Sequence, residues 1–329
     1  MKKVIQTQNL SIGYKSGKHS KKILENINLD ASEGEFIVLL GLNGSGKSTL
    51  IRTLAGIQPV LDGQVELGGE DITSMSDEHR ARALSIVLTH NETTGMIRVR
   101  DMVGLGRYPH TNWMAVFSET DEQQVERALK LTSLEEIADS YFHELSDGQK
   151  QKTVIARAIA QDTDIIFLDE PTNHLDIGNK VEIMRLLLHL ARNSGKTLIM
   201  STHDIDLATR IADKAWVITR EGAICSGIPE QFLLEGTLEQ LFATEGYDLL
   251  SGELETGKKQ GVNIFVEGIE SGASITRRAL KRVGYSWVDD REKADKVISV
   301  GKLETRYFWE FEGEELDTLK ELLEKIKNV

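Results

Sequence analysis

Gly41-Leu42-Asn43-Gly44-Ser45-Gly46-Lys47-Ser48-Thr49 is the stretch on which the reading of this chain turns. It follows Phe36-Ile37-Val38-Leu39-Leu40, a continuous apolar run of the kind that forms a buried parallel strand. A predicted helix comes after it. The spacing satisfies G-x-x-x-x-G-K-[ST], in the strand-to-helix setting that the mechanism requires. Glycines let the backbone curl so that successive N–H groups point inward at phosphate oxygens. The helix adds its positive N-terminal end. In this reading Gly41, Asn43, Gly44, Ser45, Gly46 and Thr49 belong to the nucleotide-binding turn. Lys47 would reach the β and γ phosphates, and the Ser48 hydroxyl would ligate Mg²⁺.

Working outward, two more apolar runs end in chemistry. Ile165-Ile166-Phe167-Leu168 leads into Asp169-Glu170, and Thr197-Leu198-Ile199-Met200 leads into Ser201-Thr202-His203-Asp204. Carboxylates at the end of a buried parallel strand lie at the ligand-binding edge of the sheet. Asp169 would orient Mg²⁺ and its waters. Glu170 is placed to polarise an attacking water as general base. His203 would contact the γ-phosphate; the competing reading is a structural histidine.

Leu145-Ser146-Asp147-Gly148-Gln149, followed by Lys150-Gln151-Lys152 and Ile155-Ala156-Arg157-Ala158, resembles the signature of ATP-binding-cassette (ABC) ATPases. The resemblance spans about Val4 to Leu250, with phosphate loop, signature, strand-end Asp-Glu, Asp176 loop and switch histidine in the family's order. It implies a P-loop NTPase cassette of α/β class, a mostly parallel sheet with helices plus a helical subdomain. It also implies that two cassettes pack head to tail as a homodimer, each signature closing over the other's nucleotide. Ser146, the Gly148 N–H and the helix start at Gln149 would form that second anion cradle. Tyr14 matches the aromatic that stacks on adenine; its alternative is a strand-edge tyrosine in the core. His174-Leu175-Asp176 matches the loop that couples the two cassettes. Two departures stand out. Asp147 replaces the usual signature glycine. Ile86-Val87-Leu88-Thr89-His90-Asn91 lacks the usual Mg²⁺-contacting glutamine. Thr89 would offer an oxygen ligand, His90 is a poorer match to Mg²⁺, and Asn91 is a third alternative.

Composition narrows the partners. The 329 residues carry 39 Lys+Arg against 52 Asp+Glu, a net charge of −13, which disfavours nucleic acid. The single cysteine, Cys225, excludes an internal disulfide and a multi-thiolate zinc site, and suits a reducing compartment. No apolar run approaches the roughly 20 residues that span a bilayer, so any membrane role needs a partner that supplies the spans. Ala215-Trp216-Val217-Ile218 reads as a further strand, with helices over 121–131 and 181–191.

After Leu250 the composition shifts. Residues 251–261 suit a linker, which divides the chain into a cassette at 1–250 and a small α+β domain at 262–329. That domain shows a strand over 262–266, a helix over 274–283, strands near 285–288, 297–300 and 307–311, and a last helix from Glu314 to Lys327. The turn at Gly268-Ile269-Glu270-Ser271-Gly272 reads as a plain loop more readily than as an anion site.

Val99 to Trp113 includes Gly106-Arg107-Tyr108-Pro109-His110 and resembles cassettes of importers for iron-siderophores, haem and cobalamin. Tyr108, Trp113 and Phe117 would form a docking surface for a permease helix or, equally physically, the subdomain's own core. The resemblance implies the ATP-hydrolysing subunit of a membrane importer. It would be peripheral on the cytoplasmic face and served indirectly by an extracytoplasmic substrate-binding protein. A soluble ABC protein of ribosome or DNA is disfavoured by the single cassette, the acidic balance and the lack of heptads. An exporter motor is the remaining alternative.

Overall fold

The computed structural model describes residues 2–16, 19–88, 95–111, 116–242, 247–248, 253–254 and 261–327. Two compact units divide the chain, Met1–Thr237 and Leu238–Val329. The division comes ahead of residue 250, where the change in composition suggested it. Most of the expected linker, 251–261, lies outside the described residues.

The first unit runs β1 (Lys3–Ser16), β2 (His19–Ile27), β3 (Asp30–Ser32), β4 (Phe36–Leu40), α1 (Lys47–Leu54), β5 (Asp62–Leu67), β6 (Glu70–Asp71), α2 (Asp77–Ala83) and β7 (Leu84–Val87). It continues through α3 (Val99–Gly104), α4 (Glu119–Leu131), α5 (Asp147–Ala160), β8 (Ile165–Asp169), α6 (Ile177–Ser194), β9 (Thr197–Ser201), α7 (Ile205–Ile211), β10 (Lys214–Ile218), β11 (Ile224–Gly227) and α8 (Pro229–Leu234).

Six strands form the central sheet in the order β11-β10-β4-β9-β8-β7. Every pairing is parallel except β10 with β11 at the edge. β4, β8 and β9 are buried along their whole length, which is why they read as unbroken apolar runs. These three strands lie side by side, and Leu39, Ser201 and Asp169 come level across them. The loops that leave them therefore meet at one edge.

A second sheet joins β2, β1, β5 and β6 in that order, with β3 paired to β1. It is antiparallel, and the sequence reading did not identify it. Asn9 sits at φ 48, and register shifts interrupt the pairing of β1 with both β2 and β5. Such bulges break the two-residue alternation by which a strand is recognised. Ile12, Leu24, Leu50, Ile51, Phe167 and Trp216 share one apolar cluster with the central sheet.

In the helical subdomain, α4 packs on α3 and α5. The six-residue 3-10 segment Leu105–His110 is tied in by two side chains of the Gly106–His110 motif that were not among those considered for docking. Arg107, 5% exposed, donates from Nε to Asp121 Oδ1 at 2.8 Å and from Nη1 to the Ala160 carbonyl at 2.7 Å. His110 Nε2 lies 2.8 Å from the Gln161 carbonyl. Asp121 also closes a capping box with Ser118 at the start of α4.

The remaining elements are α9 (Thr237–Phe242), β12 (Tyr247–Asp248), β13 (Glu253–Leu254), β14 (Asn263–Gly268), α10 (Glu270–Arg282), β15 (Ser286–Val288), β16 (Lys296–Leu303), β17 (Arg306–Phe311), β18 (Glu314–Leu316) and α11 (Leu319–Lys327). The second unit holds a five-stranded sheet in the order β15-β14-β16-β17-β18, with its own core around Ile264, Leu280, Trp309, Phe311 and Leu322. The last helix begins at Leu319 rather than Glu314. Glu314–Leu316 instead pairs antiparallel with β17. Thr318 Oγ1 accepts from the Glu321 amide at 3.2 Å, while Glu321 Oε2 accepts from the Thr318 amide at 3.1 Å. That reciprocal cap fixes where helical geometry starts. The Gly268 turn is internally satisfied: Ser271 Oγ and Tyr307 Oη are 2.7 Å apart, and Arg277 pairs with Glu270 at 2.8 Å.

Candidate nucleotide site

The loop between β4 and α1 places Gly44 at φ 78 and Gly46 at φ 105. A Cβ on Gly46 would also stand 2.8 Å from Ile23 Cγ2, so glycine is required there on both grounds. Lys47 is 4% exposed, and its Nζ donates to the carbonyls of Gly41 at 2.9 Å and Leu42 at 3.2 Å. Burial pushes its ammonium below the ordinary 10.5, against the opposing pull of the Glu170 and Asp169 carboxylates. The Ser45 hydroxyl is buried with no hydrogen-bond partner among the described residues. A desolvated lysine and an orphaned hydroxyl at the start of a helix suit an anion with several oxygens.

Asp169 and Glu170 do different work. Asp169 Oδ1 accepts from Ser48 Oγ at 3.0 Å and from Ser201 Oγ at 2.7 Å. The hydroxyl and carboxylate oxygens are hard donors of the type that Mg²⁺ takes, with phosphate oxygens and water completing its shell. Among the described residues there is no cluster of three His, Cys, Asp or Glu that could hold a metal unaided. Glu170 has φ 50, and its amide donates to Ser201 Oγ at 3.0 Å. That turn sends its carboxylate back over the loop: Oε1 lies 3.8 Å from Lys47 Nζ, and Oε2 lies 3.8 Å from His203 Nδ1. Asn173 Nδ2 donates to Oε2 at 3.1 Å.

Lys47, Ser48, Asp169, Glu170 and His203 thus lie together at one edge of the sheet. Tyr14 is 55% exposed on β1, with its hydroxyl 3.3 Å from Thr49 Oγ1, beside the phosphate loop rather than inside the core. Ser201 and Asn173 were missed. The signal for Ser201 was available, since it ends a strand level with Asp169.

The signature lies at the start of α5. Ser146 caps the helix, accepting from the Gln149 amide at 3.3 Å, and Gln149 Oε1 accepts from the Ser146 amide at 3.0 Å. A Cβ on Gly148 would meet Asn179 Oδ1 at 2.6 Å. Asn179 in turn donates to Asp176, from its amide at 2.9 Å and from Nδ2 at 2.6 Å. Those two bonds, the amide first, hold the Asp176 carboxyl below its ordinary value. Asn179 thus links the signature to the Asp176 loop, a connection that sequence spacing does not reveal. Among the described residues, no hydrogen bond joins Ser146, Gly148 or Gln149 to the phosphate loop of the same chain.

Residues 24–173 match the ABC transporter family model. The achromobactin transport ATP-binding protein CbrD of Dickeya dadantii is 39% identical over 238 residues, covering 72% of this chain and 87% of that protein. The chain belongs to the ABC transporter family of ATP-binding proteins. A further relative, the ferric enterobactin transport ATP-binding protein FepC of Escherichia coli, is 35% identical, covering 72% of this chain and 86% of its own length. Among solved structures, a transporter described as metal-chelate type, in an inward-facing conformation, aligns with TM-score 0.63 and 30% identity. It covers 73% of this chain and 89% of that one. A dimeric ATP-binding cassette bound to ADP and Pi aligns with TM-score 0.61 and 27% identity, over 68% of this chain and 98% of that one.

The cassette is therefore an ATP-binding, ATP-hydrolysing subunit. Thr89, His90 and Asn91, offered for the missing glutamine, lie outside the described residues, as does Trp113. Tyr108 is 54% exposed, whereas Phe117 is half-buried with its ring against Gly104. Of the two described residues considered for docking, Tyr108 is the more exposed. No helix among the described residues is long and apolar enough to cross a membrane.

Proposed function

We propose that this cassette is the energy-coupling ATPase of an importer for an iron-bearing chelate, haem or cobalamin. Two copies would sit on the cytoplasmic face of integral permease subunits, fed indirectly by an extracytoplasmic substrate-binding protein. The observation that carries the reading is the meeting of Lys47, Ser48, Asp169, Glu170 and His203 at one sheet edge, in a chain whose relatives are named for siderophore transport.

In this account the loop amides and Lys47 hold the β and γ phosphates, while Tyr14 stacks on adenine. Ser48 and Asp169 present oxygens to Mg²⁺, which when bound neutralises phosphate charge. Glu170 takes a proton from the water that attacks the γ-phosphorus, with Asn173 fixing its carboxylate and His203 contacting the γ-phosphate. Ser146, Gly148 and Gln149 would close over nucleotide held by the second copy, so that ATP joins two subunits and hydrolysis loosens them. The dimeric cassette among the structural neighbours supports that arrangement.

The test is reconstitution in proteoliposomes with the genomically adjacent permease. ATP turnover should rise when a binding protein loaded with an iron chelate, haem or cobalamin is added. Equal turnover with loaded and empty binding proteins of every such type would contradict the importer reading.

A further inference from the structure

Charge is unevenly spread over the first unit. The chain carries −13, yet an open cleft of about 520 Å³ beside α4, α5 and α6 is lined by Arg127, Lys130, Lys152, Arg185 and His189 against one acid, Glu182. Lys152 Nζ is engaged by that acid at 2.6 Å. Arg127 lies 3.9 Å from Asp162, which Lys196 approaches more closely at 3.1 Å. The side chains of Lys130 and Arg185 have neither an ion pair nor a hydrogen bond among the described residues. Leu131 and Leu186 supply an apolar wall.

Like charges gathered in a concavity with apolar walls repel one another and raise the local concentration of counter-anions. A guanidinium and an ammonium that line one cleft and have no partner among the described residues match phosphate oxygens. The volume falls within the usual range for small-molecule sites. We propose that this cleft binds a small anion carrying two or more phosphate groups, held between Lys130 and Arg127 of α4 and Arg185 and His189 of α6. Because α4 packs in the helical subdomain and α6 packs on β9, an occupant ties that subdomain to the central sheet.

The test is calorimetric titration of the full-length protein with inorganic tripolyphosphate, with ADP held at one equivalent so that the tighter phosphate loop is filled and the cleft is left free. Wild type is compared with a Lys130→Ala, Arg185→Ala double variant. Both positions are exposed, unpaired and outside the catalytic machinery, so the double variant should keep wild-type ATP turnover and melting. Arg185→Gln alone gives a second reading should the double variant misfold. The expected result is weakening of tripolyphosphate binding by at least about tenfold in the double variant. A parallel titration with uridine diphosphate separates a free oligophosphate from one attached to an organic body, which would bind more tightly by using the apolar wall. Identical affinities in wild type and variants, or no wild-type binding up to about 10 mM tripolyphosphate, would overturn the proposal whatever happens at the phosphate loop.

Discussion

Glu170 owes its position to a backbone conformation that few non-glycine residues adopt, φ 50, held by the Ser201 hydroxyl below and Asn173 beside it. Strain retained at such a point is a mark of function. Glu170→Gln keeps the shape and the Asn173 contact but removes the proton acceptor. Turnover is expected to fall by at least ~100-fold with nucleotide affinity retained, checked by phosphate release alongside equilibrium binding. Lys47→Ala removes a buried cation from the loop, and ATP affinity should weaken by roughly 10- to 100-fold, the worth of one charge-assisted hydrogen bond. Fluorescent-nucleotide titration reads that directly. At this scale the sequence was most legible where a motif names both residue and backbone. It was least legible for Ser201, Asn173 and Asn179, ordinary polar residues whose importance lies in what the fold sets beside them.

At the level of elements, the three buried strands β4, β8 and β9 were plain in the sequence because burial on both faces leaves only apolar side chains. The antiparallel sheet was not, since bulges in β1 scramble its period. The Gly106–His110 motif was legible as a pattern but not as a role: Arg107 and His110 turn inward to brace α4 and α5. Burial alone would raise the Asp121 carboxyl, but Ser118 and Arg107 together hold it down at about 2. Its folded value lies below its ordinary 3.8, so the stabilisation, about 2 kcal/mol, is complete above pH ~4 and lost as pH falls toward 2. Asp121→Asn, which leaves Arg107 buried without its carboxylate, should cost about 3 kcal/mol at neutral pH. The difference from wild type should shrink as the pH is lowered through that window, which chemical denaturation at a series of pH values would show.

Across the whole molecule, each of the two units has an apolar cluster of its own among the described residues. Trp309, 8% exposed with its indole N–H donated to Thr276 Oγ1 at 2.8 Å, belongs to the second core alone. Trp309→Ala should destabilise that unit by about 3–5 kcal/mol while leaving ATP turnover unchanged. Hydrogen exchange over residues 262–327, set beside a turnover assay, checks both halves of that expectation. The fold class of the first unit was readable because its chemistry and its strands coincide at a sheet edge. The second unit showed its α/β periodicity but no motif, so its elements could be read and its role could not. In the proposed assembly of two copies, nucleotide held by the lysine loop of one would be closed over by the signature of the other. Light scattering of Glu170→Gln with saturating Mg²⁺-ATP tests it most directly. The mass should double from the 36.7 kDa of a single chain; a variant that binds ATP and stays at the single-chain mass would contradict the two-copy arrangement.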